Sequence, residues 1–140
     1  MSTKANLKAC FYLRSATGDI DNLKRQKQKL ETFISQKPEL ANTPVEIYTD
    51  EIQSGLRPGP EFLRMKRDIM DGKIDVVMVS EFDRISRSLI ELLNFLEVLK
   101  NKGVRLLSPQ ENMDSIHSAQ WDEWLEKMRK TIGELEIGKI

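Results

Sequence analysis

Three groups of side chains able to handle a phosphate stand in this sequence, each directly after an apolar run. Tyr12-Leu13-Arg14-Ser15-Ala16-Thr17 follows the first. Asp50, Ser54-Gly55 and Arg57 follow the second, and Glu81-Phe82-Asp83-Arg84-Ile85-Ser86-Arg87 follows the third. Guanidinium forks fit phosphate oxygens and offset the charge that grows in a phosphoryl-transfer transition state. A neighbouring hydroxyl supplies a candidate nucleophile. Asp83, beside Arg84, can orient an arginine or handle a proton. Arg84 and Arg87 are three residues apart at the entry to a helix, so they lie close together. Several arginines with one hydroxyl make an alternative to a Mg²⁺ site. Taken singly, each residue has a commoner occupation. Ser88 reads as a helix cap and Ser54-Gly55 as a turn. Arg64, Lys66 and Arg67, like Lys24, Arg25, Lys27 and Lys29, read as solvated helix faces. His117 reads as a loop residue. Only the meeting of three such groups at one edge points to a site.

The elements that would bring them together follow from periodicity. Residues 8–13 read as a strand, 20–36 as a helix capped by Asp19 or Asp21, and 45–49 as a strand. Residues 61–71 read as a helix ended by Gly72. Residues 74–79 are apolar almost throughout, as a strand buried on both faces should be. Ser88 with Glu91 forms a capping box ahead of a helix that runs to Lys102 and stops at Gly103. Residues 104–107 are a fourth strand and 118–137 a last helix. Strand and helix alternate, which predicts an α/β fold: about four mostly parallel strands with flanking helices. Ligand sites in such sheets lie beyond the carboxyl ends of the strands, where the three groups stand. Two helices are wider in apolar surface than one sheet contact needs. In 88–102, Ile90, Phe95 and Val98 broaden the Leu89, Leu92, Leu93, Leu96, Leu99 stripe. In 118–137, Trp121, Trp124, Leu125, Met128, Ile132 and Leu135 recur at spacings of three and four. Docking on their own domain and a helix–helix dimer interface both account for this.

Composition bounds the rest. The chain has 140 residues, with 22 Lys+Arg against 22 Asp+Glu, one Cys and one His. One thiol excludes an internal disulfide, and one Cys with one His excludes the usual zinc sites. No metal and no cofactor are expected. No apolar run approaches the ~18 residues of a membrane span, and a signal-peptide core is lacking, which predicts a cytoplasmic protein. Zero net charge gives no global argument for nucleic acid.

Together these residues resemble the catalytic domain of the serine recombinases, the resolvases, invertases and large serine integrases. That family opens with a strand ending Tyr-x-Arg-x-Ser-Thr and a helix containing Gln, here Tyr12 to Thr17 and Gln26. Asp-x-x-x-Ser-Gly follows, here Asp50 to Ser54-Gly55. A Pro-led helix then closes on Gly-x-(Ile/Val)-Asp, here Pro60 to Gly72-Lys73-Ile74-Asp75. The most specific element, Leu-Asp-Arg-Leu-Ser-Arg, is matched by Phe82-Asp83-Arg84-Ile85-Ser86-Arg87. Order and spacing fit over residues 8–140.

The resemblance implies site-specific DNA recombination by a protein of a mobile element or phage. A serine hydroxyl attacks a phosphodiester, forming a 5′-phosphoserine link and freeing a 3′-OH. Strands exchange by subunit rotation and are rejoined without metal or ATP. It implies catalytic roles for Tyr12, Arg14, Asp83, Arg84 and Arg87, with Gln26, Asp50, Ser54, Gly55 and Arg57 in support. It also implies a homodimer or tetramer through helices 88–102 and 118–137. The last helix would lead to a separate DNA-binding domain, expected beyond residue 140.

Three positions depart from the pattern. The nucleophilic serine falls on Ala16, which has no hydroxyl. Ser15 is one place early and, on a regular strand, faces away from Arg14. The arginine before the second helix's proline is replaced by Gly59. The arginine of a Glu-Arg pair in the last helix is replaced by Ile137. Cleavage is therefore expected only if Ser15 or another hydroxyl substitutes. The alternatives are an inactive resolvase-like dimerisation or regulatory domain, and a receiver- or flavodoxin-like module using Asp50 and Asp83 with Mg²⁺.

Overall fold

The computed structural model describes residues 7–52, 57–116 and 118–137. β1 (Ala9–Ser15) lies inside a five-stranded sheet of order β2-β1-β3-β4-β5. It pairs in parallel with β2 (Val45–Glu51) from Ala9 opposite Val45 to Ser15 opposite Glu51. On its other side it pairs in parallel with β3 (Val76–Met78), which pairs in parallel with β4 (Arg105–Ser108). All seven residues of β1 are buried. Strand alternation sends Cys10 and Tyr12 into one apolar cluster and Ala9, Phe11 and Leu13 into the other. α1 (Ile20–Ser35) covers the second face with Leu30 and Ile34. α2 (Pro60–Met70), α3 (Leu89–Lys102) and α4 (Ser118–Ile137) cover the first.

The parallel α/β architecture read from the sequence is present, but β2 runs on from residue 49 to Glu51, β3 is confined to Val76–Met78 within the expected 74–79, and β4 is shifted by one residue. Two further differences bear on the site and the sheet. β1 continues two residues beyond the apolar stretch, so Arg14 and Ser15 belong to the ladder, opposite Asp50 and Glu51. A fifth strand, β5 (Met113–Asp114), pairs antiparallel with β4. Two residues are too few to carry a periodic signal. Ion pairs hold this short strand in place. Arg105 reaches Asp114 at 2.8 Å and Glu39 at 2.9 Å, and Lys37 reaches Asp114 at 3.1 Å.

The helix ends follow local chemistry. Asp19 accepts the Asn22 N–H at 3.1 Å and caps α1. Gly103 ends α3 at φ +69°, a conformation that favours glycine. At the start of α3 the capping box takes a modified form. Ser88 Oγ accepts the Glu91 N–H, but Ser88's own N–H goes to Ser86 Oγ, and that hydroxyl donates to Glu91 Oε2.

The surplus apolar width of α3 and α4 is largely used within the chain. Leu92, Phe95, Leu96 and Leu99 are buried, with Leu89, Leu93 and Val98 packed against them. Trp121, Leu125 and Met128, on one stripe of α4, are buried in the same cluster. Trp124 meets Phe82 edge-to-face at 5.2 Å. Lys100–Asp122 and Arg129–Glu97 pairs flank the α3–α4 seam. Ile90 and Leu135 stay exposed.

This packing can be checked in two ways. Leu125→Ala should destabilise the monomer by about 2–5 kcal/mol in urea unfolding, as for other buried leucines. A loss near zero at monomeric concentration would mean that α4 docks only on a partner. Burial works to raise the Asp114 carboxyl, but the Arg105 guanidinium, the Ile116 N–H and Lys37 outweigh it. They hold the carboxyl at about 2 rather than 3.8. A depressed carboxylate contributes stability that is present above its unfolded value and lost as pH falls through the folded one. Asp114→Asn should therefore flatten the stability profile between those two values, by about 1 kcal/mol after solvent screening. Acid unfolding followed by circular dichroism checks it.

Candidate active site at the strand mouth

The carboxyl end of β1 is closed by a side-chain clasp. Gln26, buried on α1, spans the Arg14 peptide. Its Oε1 accepts the Arg14 N–H at 3.2 Å, and its Nε2 donates to the Arg14 carbonyl at 2.7 Å. The Arg14 carbonyl also accepts from Arg84 Nη1 at 3.2 Å. The Arg14 guanidinium is buried, at 5% exposure. It donates to the carbonyls of Arg57 at 2.8 Å and Ile85 at 3.4 Å. It thereby ties the loop after β2 to the turn after β3.

Asp50 is buried in a second clasp. Tyr12 donates its hydroxyl to Asp50 Oδ2 at 2.8 Å, and the Glu61 and Phe62 N–H groups donate to the same carboxylate at 3.0 and 2.9 Å. Asp50 thus caps α2, whose first residue is Pro60, from a different strand. This explains Gly59. A Cβ there would lie 2.3 Å from Asp50 Cγ and Oδ2, so no larger residue fits while Asp50 holds the helix end. Burial, then the hydrogen bond to Asp50, pushes the Tyr12 hydroxyl far up, so it stays a protonated donor. With both oxygens of Asp50 occupied, and Asp83 exposed elsewhere on the mouth, the Mg²⁺ pairing of these two carboxylates has no structural basis.

The remaining cations sit further out. Arg84 is half-buried in the 3₁₀ turn Phe82–Arg84, while Arg57 and Arg87 are exposed. The carboxylate that engages Arg84 is Glu81, at 3.1 Å, rather than the adjacent Asp83. Sequence reasoning misses Glu81 because the i,i+3 geometry of a one-turn helix cannot be read from a loop. Ser54 and Gly55 lie outside the described residues, as do His117 and the side chain of Ile137.

The hydroxyls are distributed unevenly. Ser15 is 5% exposed, on the strand parity of Leu13 and Phe11 and thus on the α1 face. Ala16 and Thr17 follow the strand and are exposed at the mouth. Ser86 is engaged by Glu91 and Ser88. The Cys10 thiol is buried, and burial pushes it far up, which keeps it unreactive.

Arginines at the carboxyl ends of the strands of a mostly parallel sheet define an α/β domain, and comparison with known proteins gives its family. Residues 9–140 match the family model described as Resolvase, N terminal domain, and the chain belongs to that family. Among solved structures it is similar to the N-terminal catalytic domain of TP901-1 integrase. Identity there is 27%, with 94% of this chain and 97% of that chain covered and a TM-score of 0.75. It is also similar to a resolvase family site-specific recombinase from Streptococcus pneumoniae. Identity is 25%, coverage 96% and 98%, and the TM-score 0.64. A serine recombinase from Sulfolobus solfataricus matches at 28% identity over 74% of this chain and 68% of that one, with a TM-score of 0.57. No protein of curated function matches the sequence.

The Asp50 clasp is testable. Gly59→Ala should cost about 1–3 kcal/mol, the range for overpacking a filled site. In an Asp50→Ala background the same substitution should cost measurably less, because the group it meets is gone. Equal costs in the two backgrounds, by urea unfolding, would show that Asp50 and Gly59 do not share this space.

Proposed function

We propose that this chain is the strand-exchange domain of a site-specific DNA recombinase of the serine type, and that its own cleavage step is lost. Membership of the resolvase family and likeness to the TP901-1 catalytic domain support the first part. The second part rests on one observation: Ala16, exposed at the mouth, stands where the family pattern has its serine, while Ser15 before it is buried on the α1 face and the exposed Thr17 lies one residue beyond.

In this reading Arg84 and Arg87 receive the scissile phosphate, with Arg57 approaching from the loop after β2. Their forks hold its non-bridging oxygens and would offset charge in a pentavalent transition state. Arg14 acts from beneath, positioning the two turns that carry those arginines, and Tyr12, Asp50 and Gln26 hold that arrangement. Asp83 is exposed and can meet a proton or a partner arginine. What is missing is the hydroxyl whose oxygen would attack phosphorus and release the 3′-OH. The exposed apolar residues on α4 and at the start of α3 support assembly with another copy, or with an active relative. Among the described residues no helix is long and apolar enough to cross a membrane.

The experiment is a covalent-trapping assay on a pooled library of DNA duplexes, with adducts recovered after denaturation. The chain as it stands should give none. Ala16→Ser should give a protein–DNA adduct that protease, but not heat, removes. An adduct from the unaltered chain that disappears in Ser15→Ala would overturn the inactive reading.

A further inference from the structure

On the α1 side of the mouth lies a niche of about 140 Å³ that shares Gln26 and Arg84 with the site described above and is otherwise lined by residues outside it. Arg25, Gln26 and Lys29 line it from α1, Ser80 and Glu81 from the chain leaving β3, and Arg84 from the 3₁₀ turn. With Asn22, which also lines it, the α1 residues share one helix face, at i, i+3, i+4 and i+7.

Two needs in the niche are not met by the described residues. The first is a hydroxyl. Ser80 is 3% exposed, and its Oγ has no hydrogen-bond partner among the described residues. It stands two residues past Met78, on the parity of Val76 and Met78, which pack on the α1 side. Buried hydroxyls are almost always satisfied, so an orphan one lining a cavity marks a place where another group enters. The second is charge. Three cations line the niche against one carboxylate. Glu81 is engaged with Arg84. Among the described residues Lys29 meets only the neutral amide of Gln110, at 3.0 Å. Arg25 is exposed and has no ion pair among the described residues.

We propose that the niche is a second phosphate subsite. It takes a backbone phosphate next to the one met by Arg84 and Arg87, with Ser80 Oγ donating to a phosphate oxygen and Arg25 and Lys29 neutralising it. The proposal rests on the reading that the substrate is DNA, and Arg84 links the two subsites. A donor hydroxyl in a cavity with excess positive charge suits a tetrahedral oxyanion better than water alone, which would leave the charge unmatched.

The test uses the full chain with a short DNA duplex and, separately, inorganic phosphate. Affinity for the duplex is measured by anisotropy across a salt series. Arg25→Ala should weaken binding several-fold and lower the log–log salt slope by roughly 0.9, the value for neutralising one phosphate fewer. Ser80→Ala should weaken binding while raising Tm, because it removes a buried hydroxyl left unsatisfied in the free protein. A purely structural serine would not couple a gain in stability to a loss in affinity. If Arg25→Ala and Ser80→Ala bind the duplex as the parent does while Arg87→Ala binds more weakly, the subsite is overturned and the DNA reading stands. If the parent binds no duplex, the DNA reading fails, and with it the assignment to a backbone phosphate. Shifts of the Ser80 and Glu81 amide resonances with inorganic phosphate would then support oxyanion capture alone, and their absence would overturn that too.

Discussion

At 2% exposure the Asp50 carboxylate has to be solvated by the protein itself, and the groups that do so come from separate elements. The Tyr12 hydroxyl reaches it from β1, and two backbone N–H groups reach it from the first turn of α2. A buried carboxylate left without such donors would cost several kcal/mol. The helix end, in turn, would be left with orphan amides. The two requirements are met by one contact, and that contact fixes where α2 begins relative to β1 and β2. It also dictates glycine at position 59, since the carboxylate occupies the volume a Cβ would need. An arginine at this position, as the serine-recombinase pattern has, and an Asp50 cap in this geometry exclude each other.

Arg14 solves a related problem on the neighbouring strand, directly opposite Asp50. Its guanidinium is buried, donates to carbonyls on two different loops, and belongs to a peptide bracketed by Gln26. Hydrogen bonds from a charged donor are strong at low dielectric, so this arginine holds loops more than it waits for a ligand. The division of labour is spatial. Buried polar residues on β1, β2 and α1 set the shape of the mouth, while Arg57, Arg84 and Arg87 lie further out and are less buried. A zero net charge is compatible with this, because these three cations follow the carboxyl ends of β2 and β3. Carboxylates such as Asp114 and Glu39 are spent on ion pairs with Arg105 around β5.

The architecture is legible in the sequence wherever apolar periodicity carries it. The four parallel strands, the four helices and their ends at Asp19, Ser88 and Gly103 all follow from pattern and from end chemistry. Legibility fails where polar residues are buried. Apolar pattern stops β1 at Leu13 because Arg14 and Ser15 look like loop residues. Yet the burial of Arg14 is sustained by partners that lie 12 to 71 residues away in the chain. The surplus apolar faces of α3 and α4 are ambiguous for a different reason. A helix pattern gives the width of a face but not the identity of the surface that covers it. In the folded chain most of that width is matched by α3 packing on α4, through Leu96, Leu99, Leu125 and Met128. The Glu81–Arg84 pair and the Ser80 niche leave no trace in the sequence, because they depend on a one-turn helix and a cavity between distant elements.

The exposed position of Ala16 makes the side chain there nearly irrelevant to the fold. Its side chain is exposed, and the contact it makes to the fold is through the backbone, where its carbonyl accepts the Asp19 N–H at 3.1 Å. Exposed positions away from caps and cores change stability little on substitution. Serine and alanine there are therefore nearly equivalent to the folded state, although one hydroxyl separates them chemically. The residues on which the fold leans, Tyr12, Arg14, Gln26 and Asp50, remain alongside the more exposed Asp83, Arg84 and Arg87. Stability alone would keep that buried scaffold, whereas it places almost no demand on the side chain at position 16.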